Sequence, residues 1–137
     1  MARVLIIEDN PANLKLTSLL MRHAGHAVLI AVDAETGLMM ARAEQPDLIL
    51  MDVQLPGMDG FAATALLKMD PSTLAIPIIA LTSMAMKEDR EKSRAAGCDG
   101  YIAKPLRYQE LYAAVDALLS GRGPQPPVNT TSIDPMP

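Results

Sequence analysis

Three acidic residues come directly after short runs of apolar residues. Glu8 and Asp9 follow residues 4–7, and Asp52 follows residues 48–51. An unbroken apolar run of this length, bounded by turn formers, is typical of a strand buried on both faces of a parallel sheet. An ionised carboxylate at the mouth of such a strand is costly unless a cation or several hydrogen-bond donors compensate it. The groups that compensate Asp52 therefore decide the function.

Two further polar residues end apolar runs in the same way. Thr82 follows residues 76–81, and Lys104 follows residues 99–103. Because parallel strands direct their carboxyl ends to one edge of a sheet, we expect these two residues to lie beside the three acids. Acids in one crevice repel each other, and a hard divalent cation removes that conflict. Oxygen ligands in a site open to water favour Mg²⁺ over Zn²⁺.

The predicted metal site has two direct carboxylate ligands, one backbone carbonyl and one carboxylate that acts through water. These are Asp9 and Asp52, Gln54, and Glu8, respectively. Asp52 keeps one oxygen free beside the metal and the ammonium of Lys104. A carboxylate with these two cations next to it can accept a phosphoryl group, because the cations neutralise the phosphoryl oxygens. The Thr82 hydroxyl can donate a hydrogen bond to a phosphoryl oxygen. The residues thus predict phosphoryl transfer onto Asp52.

Strands and helices are expected to alternate five times along the chain. The predicted strands cover residues 4–7, 27–31, 48–51, 76–81 and 99–103, and the predicted helices cover about 11–24, 34–45, 61–69, 86–96 and 107–119. Asn10 and Asp33 are the expected N-caps, whereas Gly25 and Gly97 are the expected helix stops. This alternation predicts an α/β fold, a doubly wound five-stranded parallel sheet in the order 2-1-3-4-5.

The fourth predicted helix differs from the others in composition. Seven of residues 87–94 are charged, and its apolar face is mostly alanine. Because a helix of this kind buries little apolar surface, we expect it to lie on the surface and to be held loosely.

Length and composition limit the class of protein. A chain of 137 residues fits one domain, and we assign it to residues 1–120. Residues 121–137 hold five of the eleven prolines and predict a disordered tail. The net charge of −4 argues against nucleic-acid binding, and no apolar stretch is long enough to span a membrane. Because Cys98 is the single cysteine, we expect a cytoplasmic protein.

Taken together, the motifs resemble the receiver domains of bacterial response regulators, which have a flavodoxin-like (βα)5 fold. The motifs that carry the resemblance are Glu8-Asp9, Asp52 with Leu55-Pro56-Gly57-Met58-Asp59-Gly60, Ala80-Leu81-Thr82, and Tyr101-Ile102-Ala103-Lys104-Pro105. The resemblance covers residues 3–120. Residues 82–86 and 96–99 further resemble stand-alone regulators of the DivK type and the receivers of hybrid histidine kinases.

The resemblance implies that Asp52 is phosphorylated by a histidine kinase or a histidine phosphotransfer protein and that Mg²⁺ is required. It gives Thr82 and Tyr101 coupled switch roles, in which the ring turns inward when the hydroxyl moves toward the phosphoryl group. It also implies a kinase docking surface on the first helix that includes Asn13 and Leu14. The switched surface would comprise the fourth helix, the fifth strand and the fifth helix, and it would bind a downstream protein.

The resemblance carries three finer expectations. Gln54 and Met84 would tune the lifetime of the acyl phosphate, and the bond between Lys104 and Pro105 would be cis. The protein would be a monomer or a weak dimer.

Other functions fit the residues less well. A phosphatase or mutase that forms an aspartyl phosphate would need an acid two residues after the nucleophile, where this chain has Gln54. A flavin-binding domain would need a phosphate loop after the first strand, where residues 8–11 are acidic. A degenerate receiver is disfavoured because every site residue is present. We therefore expect a signalling module that assists its own phosphorylation and dephosphorylation, and not an enzyme.

Overall fold

Strands and helices alternate along the chain in the computed structural model, which describes residues 1–83 and 87–120 and, within them, all side chains except those of residues 87–89. The strands are β1 (Arg3–Ile7), β2 (Ala27–Ala31), β3 (Leu48–Asp52), β4 (Ile78–Thr82) and β5 (Gly100–Ala103). All four strand pairs are parallel, and the order is β2-β1-β3-β4-β5. The predicted fold and strand order are therefore confirmed.

Five helices connect and follow these strands. They are α1 (Pro11–His23), α2 (Ala34–Glu44), α3 (Gly60–Met69), α4 (Lys87–Ala96) and α5 (Tyr108–Leu119). Within the described ranges, none of them combines the length and apolar character that crossing a bilayer requires. The predicted tail and Met84 lie outside the described residues.

The core lies on both faces of the sheet, as the unbroken apolar runs predict. Every residue of β3 is buried. Successive side chains of a strand point to opposite faces, so each strand contributes to two apolar clusters. One cluster joins Leu5, Ile7, Ile49 and Met51 to Leu38 of α2 and Leu67 of α3. The other joins Val4, Ile6, Leu48 and Leu50 to Met21 of α1 and Leu111 of α5. The sheet is thereby sandwiched between helices.

The predicted helix boundaries are confirmed by local hydrogen bonds. Asn10 Oδ1 accepts from the amides of Ala12 and Asn13 at 2.9 and 3.0 Å, which caps α1. Asp33 Oδ1 likewise accepts from the amide of Thr36 at 2.7 Å and caps α2. Each cap satisfies backbone donors that the first turn of a helix leaves without a partner.

The fourth strand begins two residues later than predicted. The amide of Ile76 donates to the carbonyl of Thr73 at 3.1 Å and so belongs to a turn. Pro77 has no amide hydrogen to give to a strand ladder. The apolar run therefore starts before the strand, which begins at Ile78.

Leu16, Leu19, Leu20 and Ala24 recur at helical spacing and predict the buried face of α1, but the structure confirms only part of this prediction. Leu16 and Leu19 are 45% and 54% exposed. The buried residues of α1 are Thr17, Ser18 and Met21, and the partly buried Leu14 and Leu20 also pack against the core. Two small hydroxyl side chains occupy positions that an apolar pattern assigns to large residues, so the pattern alone could not reveal this face.

Two neighbouring leucines of α3 provide a test of the core. Leu67 is fully buried, whereas Leu66 is 41% exposed. We expect Leu67→Ala to lower the free energy of unfolding by about 2–5 kcal/mol, because it removes buried methyl groups and leaves a cavity. Leu66→Ala removes the same atoms with a cost below about 1 kcal/mol. Urea denaturation measures both values, and equal costs would contradict the described packing.

Candidate functional site

The carboxyl ends of β1, β3, β4 and β5 meet at one edge of the sheet and bring the predicted site residues there. Asp52 and Thr82 are the last residues of β3 and β4. Glu8 and Asp9 directly follow β1, and Lys104 directly follows β5. The edge includes the point between β1 and β3 where the strand order reverses, which is the usual position of ligand sites in such sheets.

The three acids form one cluster. Glu8, Asp9 and Asp52 each have a carboxylate oxygen, and these oxygens all lie within 4.8 Å of one another. Glu8 and Asp52 are only 1% and 3% exposed, while Asp9 is open to solvent. We expected Asp52 to be partly open at the mouth of its strand. The structure buries it more deeply than that. An all-oxygen donor set with one open side fits Mg²⁺.

Lys104 bridges the two buried acids. Its Nζ donates to Glu8 Oε1 at 3.0 Å and to Asp52 Oδ1 at 3.2 Å. Its backbone amide donates to the carbonyl of Thr82, which fixes the start of the side chain beside β4. The Lys104–Pro105 bond is cis, as the resemblance implies. One ammonium thus compensates two carboxylates from separate strands.

The charges of this cluster act on one another. Burial raises the pKa of Glu8, and the neighbouring Asp52 raises it further, although the hydrogen bond from Lys104 works in the opposite direction. Burial by itself lowers the pKa of Lys104, but the contacts with Glu8 and Asp52 outweigh it, and the net shift is upward. Lys104 therefore stays protonated, and the neighbouring carboxylates still repel each other.

The loop after β3 is folded tightly over the end of that strand. The amide of Gly60 donates to the carbonyl of Val53 at 2.8 Å, and a Cβ at Gly60 would lie only 2.8 Å from Val53 Cα. Asp59 caps α3 by accepting from the amide of Ala62 at 2.8 Å. A glycine at position 60 is required because the start of α3 approaches the backbone of the strand so closely.

The structure adds one contact that the sequence did not reveal. Ser83 Oγ donates to Gln54 Oε1 at 2.9 Å, across the open side of the site. The amide of Gln54 also lies 3.3 Å from Asp52 Oδ1. The available signal was the position of both residues just beyond neighbouring strands, but only the strand register shows that they face each other.

Thr82 and Tyr101 occupy different places relative to the acids. Thr82 is fully buried on β4, one residue beyond the partner of Asp52 in the strand register. Tyr101 lies half-buried on the outer strand β5, paired with Ala80. The guanidinium of Arg90 lies over its ring, 5.8 Å from the centroid. Tyr101 thus contacts α4 through Arg90.

The bridge through Lys104 can be tested in metal-free protein. We expect Lys104→Met to lower the free energy of unfolding by roughly 2–3 kcal/mol, because two buried carboxylates lose their cation. This cost is below that for a fully buried pair, since Glu8 can take up a proton. Asp52→Asn should raise stability by about 1–2 kcal/mol, since it removes one of the crowded charges while Lys104 keeps Glu8. Urea denaturation in EDTA measures both, and a stabilising Lys104→Met would contradict the bridge.

Comparison with known proteins identifies a family. The family model described as response regulator receiver domain matches residues 4–116. Protein PilH from Pseudomonas aeruginosa is 40% identical over 122 residues, which cover 88% of this chain and 100% of PilH. The polar-differentiation response regulator DivK from Brucella anthropi is 40% identical over 116 residues, covering 85% of this chain and 94% of DivK.

Solved structures agree with this result. A response regulator from Chloroflexus aurantiacus superimposes with a TM-score of 0.84 at 31% identity, covering 87% of this chain and 98% of the other. The receiver domain of a sensor histidine kinase from Pseudomonas aeruginosa gives a TM-score of 0.82 at 34% identity, with coverage of 87% and 98%. That structure is described with a magnesium ion coordinated in the active site cleft.

Proposed function

This chain belongs to the response regulator receiver domain family of two-component systems, and on that basis we propose that it accepts a phosphoryl group on Asp52. The observation that carries the proposal is the Lys104 ammonium, which holds Asp52 Oδ1 at 3.2 Å within a cluster of three acids. A buried carboxylate with a lysine beside it and an oxygen-lined metal position has what a phosphoryl acceptor needs.

The transfer requires little covalent chemistry from the protein. A carboxylate oxygen of Asp52 attacks the phosphorus, the bond from phosphorus to the donor nitrogen breaks, and the donor histidine keeps that electron pair. Lys104 stabilises the negative charge that develops on the phosphoryl oxygens. Mg²⁺, held by Asp9, Asp52 and the backbone carbonyl of Gln54, would neutralise the same oxygens, and Glu8 would act through water.

The proposal includes a switch and its partners. The Thr82 hydroxyl donates to a phosphoryl oxygen, Tyr101 changes its position in response, and the surface of α4, β5 and α5 is altered for a downstream protein. The donor is a histidine kinase or histidine phosphotransfer protein that docks on α1 near Asn13 and Leu14. Cys98 is a free thiol, which fits the cytoplasmic location that we include in the proposal.

An aspartyl-phosphate phosphatase or mutase is a weaker alternative. Such an enzyme would need an acid/base group at Gln54, whose amide oxygen instead accepts a hydrogen bond from Ser83. An amide cannot exchange protons in this way near neutral pH. The geometry therefore favours a signalling module over an enzyme with turnover on a separate substrate.

Labelling with a small phosphodonor tests the acceptor. With acetyl phosphate and Mg²⁺, the wild-type protein should gain one phosphoryl group in intact-mass spectrometry, and Asp52→Asn should gain none. Asp59→Asn is the matched control, because it changes an exposed acid in the same loop and retains a capping side chain. Equal labelling of wild type and Asp52→Asn would remove Asp52 from its proposed role.

Metal binding is tested separately. We expect Asp9→Ala to weaken Mg²⁺ binding by at least about tenfold, since it removes a direct charged ligand. Mg²⁺ at a hundredfold excess over its Kd should stabilise the wild type by about 2.7 kcal/mol. Asp116→Ala, an exposed acid on α5, should bind Mg²⁺ as the wild type does. Titration calorimetry measures the affinities, and an unchanged value in Asp9→Ala would contradict the ligand assignment.

A further inference from the structure

We propose that α4 is a lever, anchored at its C-terminal end by Lys68 and held at its N-terminal half by the contact of Arg90 with Tyr101. Arg90 is then a positioning residue that sets how often α4 lies against β5. The regulatory consequence rests on the proposed function, whereas the mechanical part can be measured without any phosphodonor.

The described part of α4 is weakly packed. Among residues 90–96, whose side chains the structure describes, only Ser93 is buried, and five of the seven are exposed. None of these seven residues belongs to either apolar cluster of the core. A helix that buries so little has a low local stability, so the few contacts that hold it decide its position.

The segment that follows α4 is joined to a partly buried group of polar atoms around Lys68. Lys68 Nζ donates to three acceptors, the carbonyl oxygens of Leu74 and Ile76 and Asp99 Oδ2, at 3.2, 2.8 and 2.9 Å. The side chain of Lys68 is only 16% exposed. Asp99 Oδ2 also accepts from the amide of Ile78 at 2.9 Å. The chain that leaves α4 is thereby tied both to α3 and to the start of β4.

Gly97 allows the end of α4 to lie close to the side chain of Lys68. Its φ of +99° suits a residue that ends a helix, and a Cβ there would lie 2.9 Å from Cγ of Lys68. The amide of Cys98 closes the last turn by donating to the carbonyl of Ser93 at 3.0 Å. The backbone at the end of α4 thus lies directly against the side chain of Lys68 on α3, the same lysine that pairs with Asp99.

The contact at the N-terminal half is of a different kind. Arg90 lies in the first turn of α4, and its guanidinium stands 5.8 Å from the centroid of the Tyr101 ring on β5. Because Arg90 is exposed, its charge stays hydrated when the contact breaks. A cation–π contact at an exposed site shifts an equilibrium by about two- to fivefold. The contact is therefore strong enough to shift the position of α4 toward β5 and weak enough to break when Tyr101 moves.

Tyr101, one of the two residues to which we assign the switch, is itself a partner in this contact. Thr82 precedes α4 in the chain, and the guanidinium of Arg90 on α4 lies over the Tyr101 ring. If the Tyr101 ring turned inward, Arg90 would lose its contact with the face of the ring. The N-terminal half of α4 would then lose one of the contacts that stabilise its position. By reciprocity, removing Arg90 should favour the state that phosphorylation stabilises.

Hydrogen exchange tests the lever in the absence of metal and phosphodonor. In Arg90→Ala, amide exchange over residues 87–92 should rise about two- to fivefold, while exchange over residues 95–99 stays unchanged. Arg94→Ala is the matched control, since it removes an exposed arginine one turn further along the same helix. Equal exchange in Arg90→Ala and wild type, or an equal rise in both variants, would overturn the proposal.

A second variant tests the anchor. Lys68→Met should raise exchange over residues 95–99 more than over residues 87–92, the reverse of the pattern in Arg90→Ala. If Lys68→Met does not fold, Asp99→Asn removes the ion pair and retains an oxygen for the amide of Ile78. A rise confined to residues 87–92 in the folded variant would overturn the assignment of the anchor.

The regulatory consequence is read from binding of beryllofluoride with Mg²⁺. Arg90→Ala should tighten this binding about two- to fivefold, and in a Tyr101→Leu background the same substitution should have no effect. Raised exchange with unchanged affinity would overturn the regulatory part. If wild type does not bind beryllofluoride at all, the proposed function fails, while hydrogen exchange still decides the lever.

Discussion

The ammonium of Lys104 between the carboxylates of Glu8 and Asp52 is the interaction on which the site depends. Two nearly inaccessible acids could not both remain ionised at one sheet edge without a cation between them. The three residues come from the ends of three different strands, and Glu8 and Lys104 are 96 positions apart in the sequence. Parallel pairing in the order β2-β1-β3-β4-β5 is what brings them together.

One lysine does not balance the cluster. Three carboxylates and one ammonium carry a net charge of −2 when all are ionised, which is the charge that a single divalent cation neutralises. The pKa of Glu8 is shifted upward, mainly by burial, and the neighbouring Asp52 adds to this shift. The same arrangement that disfavours a third acid therefore favours a metal ion, and the exposed Asp9 leaves a side through which an ion can enter.

The sequence predicts the features that depend on chain-local patterns. Apolar runs of four to six residues, caps such as Asn10 and stops such as Gly97 determine the elements, and the acids at strand ends follow from them. The approach of Lys104 to the acids was predicted from the strand ends, but other contacts between side chains of distant elements could not be, because they depend on register and packing. The Gln54–Ser83 hydrogen bond and the Lys68–Asp99 pair are of this kind. The buried face of α1 was missed because Thr17 and Ser18 are polar by type.

The contrast between β3 and α4 explains where a signal from the site can go. All five residues of β3 are buried, and displacing such a strand would cost far more than contacts with one phosphoryl group can supply. A two-state element must have states that differ by only a few kcal/mol if a ligand is to shift it. Among the described elements α4 meets this condition best, since Ser93 is the one buried residue among residues 90–96 and α4 is the next element after β4 in the chain. The charge-rich composition of α4 thus suits the switch that we propose, because a better-packed helix in this position would be harder to shift.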